Sequence, residues 1–365
     1  LLIIFLISII AIFYLSIFGI KTDKFNSQIT NNILEINKKI NLSLNDVSYL
    51  LNLKDFTINI KTKNPQILLE GKSFRIKDIQ TNVLLKSLIN RQFSIDDLKI
   101  SIKEIKINDI ISLIRVFQNS PQLFVLDTVI KDGLITANIN LKFDDRGKIK
   151  DDYKIEGSLK KAELNILNKI KLQNLNFNFN LEKGIYLLKQ INTDLNDIKI
   201  ISPSIEIKKN KNLFFVKGKI LNNNEIINIE EFKPFFPSLL NNVDIKKIEF
   251  GSSNNFSFNI NEKLKLNNFN IESIIDLTQL TFNKKNLKLK PYFPSFVEEI
   301  KLKAHKIVVN YDKNKLDIRG KGNILLEDKL DDLSYQIIKN NNKFSFNSKI
   351  NLKNNSLLLD FLDYK

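Results

Sequence analysis

The chain has 365 residues and a formal net charge of +16, with 43% hydrophobic and 26% charged side chains, enough apolar material to exclude a chain disordered by composition. Cys, Met and Trp are all at 0 and His at 1, which excludes disulfides, thiolate metal sites and cysteine nucleophiles. The cation excess favours anionic surfaces, phospholipid headgroups or nucleic acid, beside the plainer reading of a solvated Lys/Asn face; charges dispersed among Asp and Glu, without a reader motif, argue against nucleic acid as a partner.

Residues 1–20 carry no charge. Twenty helical residues rise about 30 Å, the thickness of a bilayer's hydrocarbon core, so this run reads as one N-terminal transmembrane helix. A cleaved signal peptide would need a shorter apolar region and a small-x-small site, which Phe18-Gly19-Ile20 does not supply. Lys21, Asp23 and Lys24 end the run. The chain opens inside it without a methionine, which reads as a start within a longer protein. Residues 21–39, with Ile29, Ile33, Leu34 and Ile36 near helical spacing, are expected to form an amphipathic helix at the membrane exit.

From residue 40 to 365 the pattern is strand-like and one-sided. Phe56, Ile58 and Ile60 alternate with polar residues, followed by Phe74 and Ile76, then Ile79, Thr81, Val83 and Leu85. Phe93 and Ile95 lead to Leu98, Ile100 and Ile102, with Asp96-Asp97 interrupting the phase as a bulge or turn. Asp109–Phe117 is too densely apolar for a one-sided strand; it reads as a short buried helix capped by Asn108 or Asp109 and ended by Ser120-Pro121. Asp132-Gly133 predicts a hairpin turn, after which Ile135, Ala137, Ile139, Leu141 and Phe143 alternate, with a polar loop at Asp144–Lys148. The alternation is clearest at Leu175, Phe177, Phe179 and Leu181, with an asparagine at every position between. Turns are expected at Glu182-Lys183-Gly184, Lys209–Asn212, Asp312–Lys315 and Asn340–Lys343. Gly at 10 and Pro at 7 are few, so Asn, Asp and Lys must make most of them.

Lys233-Pro234-Phe235-Phe236-Pro237-Ser238 matches Lys290-Pro291-Tyr292-Phe293-Pro294-Ser295 at an offset of 57, within a suspected internal repeat of residues 232–250 and 289–307. Proline cannot donate to a sheet ladder, so each copy is placed on a short helix or crossing loop between groups of strands.

So many one-sided strands need a partner for their apolar face. Helices are too few to cover it. Tandem sandwiches would lead one to expect more Gly and Pro at corners and clearer linkers. The fold expected is therefore mainly β: a long antiparallel β-meander curved into an apolar groove, with short connecting helices and one N-terminal transmembrane helix. Candidate groove-lining residues are Phe56, Ile58, Ile60, Phe74, Ile76, Ile135, Ile139, Leu141, Phe143, Leu175, Phe177, Phe179, Leu181, Phe256, Phe258, Ile260, Ile307, Val309, Phe344 and Phe346. An open groove would expose more than the few hundred Å² of contiguous apolar surface usual on soluble proteins, and acyl chains are the natural occupant.

An apolar N-terminal run followed by K-T-D-K-F-N (Lys21–Asn26), an amphipathic helix, and strands such as F-R-I-K-D-I-Q-T-N-V-L-L (Phe74–Leu85) and F-S-I-D-D-L-K-I (Phe93–Ile100) resembles the AsmA-like family of Gram-negative bacteria, relatives of TamB and YhdP within the repeating β-groove superfamily of bridge-like lipid transfer proteins. The resemblance covers the whole chain in architecture, and is specific over its first hundred or so residues. It implies an inner-membrane anchor, a periplasmic body (residues 40–365) and a groove carrying phospholipid between inner and outer membranes in outer-membrane biogenesis. Phospholipids, the inner membrane and other envelope proteins are the implied partners. The usual large size of such proteins implies that this chain is a fragment or a short member. The alternatives are a membrane-anchored tandem β-sandwich binding protein or glycan, and a polyanion-binding scaffold.

No enzyme, metal or cofactor is expected. The acid pairs Asp96-Asp97, Asp144-Asp145, Asp151-Asp152, Glu298-Glu299 and Asp331-Asp332 read mostly as turns, because neighbours in a strand point to opposite faces and do not converge. His305 lacks an acidic neighbour and reads as a surface residue.

Overall fold

The computed structural model describes residues 2–36, 40–69, 72–89, 95–117, 121–144, 146–166, 170–210, 213–232, 243–261, 263, 265–284, 288–341 and 343–359. The order of elements is α1 (Leu2–Ile17), β1 (Ile20–Thr22), α2 (Asn26–Ile36), β2 (Ile40–Ser43), β3 (Val47–Asn52), β4 (Thr57–Lys63), β5 (Gln66–Leu69), β6 (Lys72–Arg75), β7 (Asp78–Leu84), α3 (Leu85–Ile89), β8 (Ile95–Lys106), α4 (Ile107–Phe117), α5 (Pro121–Val129), β9 (Ile130–Lys142) and β10 (Lys154–Ile166). There follow β11 (Ile170–Glu182), β12 (Ile185–Leu195), β13 (Ile198–Asn210), β14 (Leu213–Ile226), α6 (Ile229–Phe232), β15 (Val243–Asn261), β16 (Leu266–Lys284), β17 (Ile300–Asp312), β18 (Lys315–Leu325), β19 (Leu330–Asn340) and β20 (Lys343–Asn351).

Among the described residues the protein is mainly β, with 17 strands in a long antiparallel meander sheet and β2, β5 and β6 in a separate three-stranded sheet. The chain divides into two compact units. The first comprises Leu1–Asn165 with Asn174–Leu188, the second Ile166–Gln173 with Lys189–Lys365.

In the first unit the long sheet runs β1-β3-β4-β7-β8-β9-β10, each strand antiparallel to the next. Val47, Thr62, Ile79, Ile100, Ile139 and Ile155 stand in one cross-strand row, and Tyr49, Ile60, Thr81, Leu98 and Leu141 in the next, so the apolar phase of each strand falls on one face. The Asp96-Asp97 interruption is a bulge: the register slips between Asn82↔Asp97 and Val83↔Ile95.

Several local expectations change. The 20-residue apolar run is not one helix. α1 stops at Ile17, Gly19 adopts φ +64° and donates to Tyr14 O, and Ile20 already pairs with Tyr49. At 16 residues α1 is about 24 Å long, and among the described residues no helix is long and apolar enough to cross a membrane. Lys21 and Thr22 extend β1, and the helix expected over 21–39 is α2. Leu85 opens α3 rather than continuing β7.

α4 begins at Ile107 directly from β8. Asn108 lies inside it and is no cap: its amide donates to Ile130 O, while its own carbonyl accepts from Ser112 Oγ. Pro121 opens a second helix, α5, that the alternation did not reveal; its missing N–H costs nothing at a first helical position. Asp132-Gly133 is no hairpin. It lies inside β9, where the register against β10 slips around Glu163, and Gly133 (φ +147°) leaves room for the fully buried Ala162. A helix precedes β9, so there is no strand for a hairpin to return from.

Three other turns fall as expected, while the turn expected at Lys209–Asn212 lies in part outside the described residues. Lys183 and Gly184 both have positive φ between β11 and β12, Lys313 does so between β17 and β18, and Asn341 between β19 and β20. The first proline copy, Lys233–Ser238, lies outside the described residues. The second, Lys290–Ser295, is a turn-rich connector between β16 and β17.

In the second unit β13 to β20 follow each other as antiparallel neighbours. Joins of two residues (β13–β14, β17–β18 and β19–β20) or four (β15–β16) lie at one end; at the other, β18 and β19 are joined by four residues, and the β14–β15 and β16–β17 joins span residues 227–242 and 285–299.

Glycine inside these strands makes room for rings. A Cβ on Gly157 would strike the backbone oxygen of Thr136 and come within 2.7 Å of the Phe179 ring; one on Gly218 would meet the Phe256 ring at 2.9 Å. Gly157→Ala is expected to destabilise the fold by about 1–3 kcal/mol, because the conflict involves backbone. A lowered urea midpoint with an unchanged slope is the expected observation; an unchanged midpoint would show that neither the Thr136 carbonyl nor the Phe179 ring crowds Gly157.

Candidate functional site: an apolar sheet face

The apolar face of the second unit follows from register. Ile205, Gly218, Phe256, Ile271, Tyr311 and Leu316 form one row across six strands. Val309, Ile318, Ile337 and Phe346 form another, and Ile275, Ile307, Gly320 and Tyr335 a third. Near the short turns the rings run on: Phe256–Phe258 at 5.8 Å, Phe258–Phe269 at 6.2 Å and Phe269–Tyr311 at 5.9 Å between centroids. These side chains are half-buried by their neighbours alone, and on β20 Phe344 and Phe346 are exposed.

At the connector end the face is closed. Phe293 and Phe296, from the Lys290–Ser295 connector and just beyond it, pack with Ile300, Ile324 and Leu326 in a buried cluster, joined by Leu352 and Leu357 from the segment after β20. Asp331 holds that segment. Its carboxylate accepts from the backbone N–H of Lys353 (2.8 Å) and Asn354 (2.9 Å) and from the Asn355 amide (2.8 Å). Burial alone would raise its pKa; these hydrogen bonds outweigh that and hold it below the ordinary value. The pair Asp331-Asp332 thus lies in β19 rather than in a turn. Asp331 is turned inward, and Asp332 is ion-paired to Lys353 at 2.8 Å.

His305 is not on the surface: it is 1% exposed, in the row beside Leu277, lying over Gly322 with its ring 5.9 Å from Tyr335. Its Nε2 donates to Asn323 O at 2.9 Å, leaving an unprotonated Nδ1 without a partner among the described residues. Burial pushes this imidazole below its ordinary value, opposed only in part by the Asn323 hydrogen bond.

A polar belt interrupts the apolar rows. Asn222, Ser252 and Asn254 project on this face and bond to one another: Asn254 Nδ2 donates to Ser252 Oγ at 2.7 Å, and Ser252 donates to Asn222. Ser273, opposite Asn254, is buried. The belt was missed from sequence, although Gly251–Asn255 breaks the alternation between Phe250 and Phe256. The opposite face is wet, as in the row Glu206, Lys217, Ser257, Asn270, Asp312 and Lys315, where Glu206 lies 3.2 Å from Lys208 and 3.3 Å from Lys217.

In the first unit the structure brings Ile58, Ile60, Ile135, Ile139 and Leu141 onto one face. Leu175, Phe177, Phe179 and Leu181 share one face of β11, with the two phenylalanine rings 6.3 Å apart. Phe143 lies just past β9, bridged to Ile149. In the second unit Phe256, Phe258, Ile260, Ile307, Val309, Phe344 and Phe346 share the face described above. Three candidates stand apart. Phe74 belongs to a small core with Leu69, packed against by Ile67, Ile105 and Leu113, and Ile76 is buried just past β6. Phe56 is exposed at the β3–β4 turn.

The accessible surface is 24495 Å². Two separate compact domains of half the mass would together expose about 18,000 Å². Among the described residues no three His, Cys, Asp or Glu side chains are grouped to hold a metal ion. In comparisons with known proteins the chain matches no family model, no curated protein and no solved structure.

Two tests follow from the closed end. The single histidine gives a single imidazole NMR signal; its midpoint should lie below about 6.5. Because the folded value is depressed, stability is full above about pH 6.5 and falls as pH drops toward the folded value. A midpoint at or above 6.5 would place His305 in water. Asp331→Asn should cost about 1–3 kcal/mol at pH 7 by urea unfolding. It should also remove part of the wild-type loss of stability below about pH 4, where a depressed carboxylate is finally protonated.

Proposed function

We propose that this protein is a membrane-anchored lipid carrier, in which phospholipid acyl chains lie along the apolar sheet face, curved into a groove, while headgroups stay in water. The observation that carries the reading is the set of apolar rows running from β16 to β19 that, among the described residues, neighbouring connectors cover only at one end of the second unit. A closed β-sandwich would lay a second sheet over such rows.

Size supports the same reading. Eight strands at about 4.8 Å spacing make a face about 34 Å wide, and one leaflet's acyl region is about 15 Å deep, so the second unit has room for more than one chain. α1 supplies the anchor in this reading, since Ile3, Phe5, Leu6, Ile10 and Phe13 are exposed apolar residues on a helix without a charged side chain. The inner membrane of a Gram-negative envelope and a periplasmic body belong to the same proposal, through the resemblance to the AsmA-like family. The process would be passive, with chains moving along the face and no covalent step.

The test is mass spectrometry of lipid co-purified with the whole chain in mild detergent, together with transfer of a labelled phospholipid between donor and acceptor vesicles. Val309→Glu and Ile337→Glu, both half-buried in one row, should cut transfer by about tenfold or more, because an unpaired carboxylate in an apolar site costs well over 1.4 kcal/mol. Phe177→Glu should act likewise. Lys217→Gln on the wet face should leave transfer unchanged. Absence of lipid from the wild type, with unaltered transfer in all three Glu variants, would reject the carrier.

A further inference from the structure

We infer that the β3–β4 hairpin is a second membrane contact, its tip seated in the lipid interface beside α1. The inference deepens the proposal above and rests on the reading of α1 as an anchor.

β1 pairs with β3 so that Ile20 faces Tyr49 and Thr22 faces Val47. The chain therefore arrives from α1 at the end of the sheet where β3 turns into β4. The junction is tight. A Cβ on Gly19 would lie 3.3 Å from the Leu50 side chain, Phe25 packs edge-on against Tyr49 at 5.5 Å, and α1 touches β3. From Tyr49 the hairpin tip is only about 10 Å further along the strand.

The tip is shaped to present apolar groups. Asn52 Oδ1 accepts from the N–H of Lys54 (3.0 Å) and Asp55 (3.2 Å), and Asn52 Nδ2 donates to Asp55 Oδ2 (2.9 Å). This self-contained turn leaves Leu53 exposed and sets Phe56 at φ +51° with 68% of its surface exposed. A bulky side chain held in left-handed backbone without burial gains nothing from the protein's own core. Leu50 projects from the wet side of β3, opposite Asn59, and is exposed too. With Phe18 and Ile20 these residues extend the apolar surface of α1 onto the sheet edge.

A lipid surface is the occupant indicated, by continuity with α1 and by charge. Exposed Lys21, Lys24 and Lys54 flank the patch, and Lys86 follows Leu85, whose N–H donates to Phe56 O at 3.1 Å. Asp23 and Asp55 offset half of that charge, leaving a net positive rim suited to anionic headgroups around an apolar centre. Two membrane contacts, one helical and one a rigid turn, would fix the orientation of the first strands relative to the bilayer.

With no native Trp or Cys, one introduced Trp reports without background. Full-length Phe5→Trp, Phe56→Trp, Leu53→Trp and Lys219→Trp chains are reconstituted in vesicles of three parts phosphatidylcholine to one part phosphatidylglycerol, with or without brominated acyl chains. Quenching is expected at residues 5, 56 and 53, shallower at the hairpin, with Lys219→Trp unquenched. Quenching at residue 5 with none at 53 or 56 overturns the hairpin contact while the anchor stands. Quenching at none of them overturns both. Quenching at 53 and 56 without 5 supports the hairpin as a peripheral contact and removes the anchor.

Discussion

Everything in this molecule depends on the side-to-side hydrogen bonding of strands whose apolar residues share one phase. The ladder satisfies the backbone polar groups of each strand through its immediate neighbours. It places Ile307 beside Ile275 and Gly320, and Val309 beside Ile318, without needing a second layer to fix the register. Each strand is thus held mainly by the strands beside it. At the connector end of the second unit Phe293 and Phe296 pack onto Ile300 and Ile324 and add a buried core to that ladder.

Four of the scarce glycines lie inside the sheet, under rings. Gly157 lies under Phe179, Gly218 under Phe256, Gly320 under Tyr335 and Gly322 under His305. In each case a ring from the adjacent strand occupies the space a side chain would have taken, which covers backbone there. Lysine and asparagine then take the strained turn positions: Lys183, Lys313, Asn196 and Asn341 all have positive φ. The low glycine count and the abundance of Asn and Lys are therefore two sides of one arrangement.

The long strands were legible because a two-residue period leaves no alternative structure for a stretch such as Leu175–Leu181. Turns at Lys183-Gly184 and Asp312–Lys315 were legible because strands flank them on both sides. Asp132-Gly133 carried the same local signal and misled, since its meaning depended on whether a strand or a helix came before it, and α5 was hidden in a run whose apolar density has no clear period. Phe74 shares the alternation of the face residues, yet β6 joins a different sheet; pairing partners are a tertiary fact that no single strand encodes. His305 likewise looked like a surface residue because its burial comes from Gly322 and Tyr335, which lie elsewhere in sequence. The Asn222–Ser252–Asn254 belt is visible only once the register aligns β14 with β15.

The net charge of +16 and the apolar face look opposed until the lysines are placed. Lys217 and Lys315 stand on the wet face, where Glu206 and Asp312 share their row. At its turn end two lysines share the phase of the apolar face: Lys209, with its ammonium 6.0 Å from the centre of the Phe214 ring, and Lys339, in the row between Leu316 and Phe344. Long stems let such residues lie along apolar surface while the charge reaches water. The apolar rows therefore have a closed apolar end at Phe293 and Phe296 and a cationic, ring-lined rim at the opposite end. In the proposed carrier, an amphiphile with an anionic head would lie along a strand with its tail toward the closed end and its head toward the Lys209 and Lys339 rim.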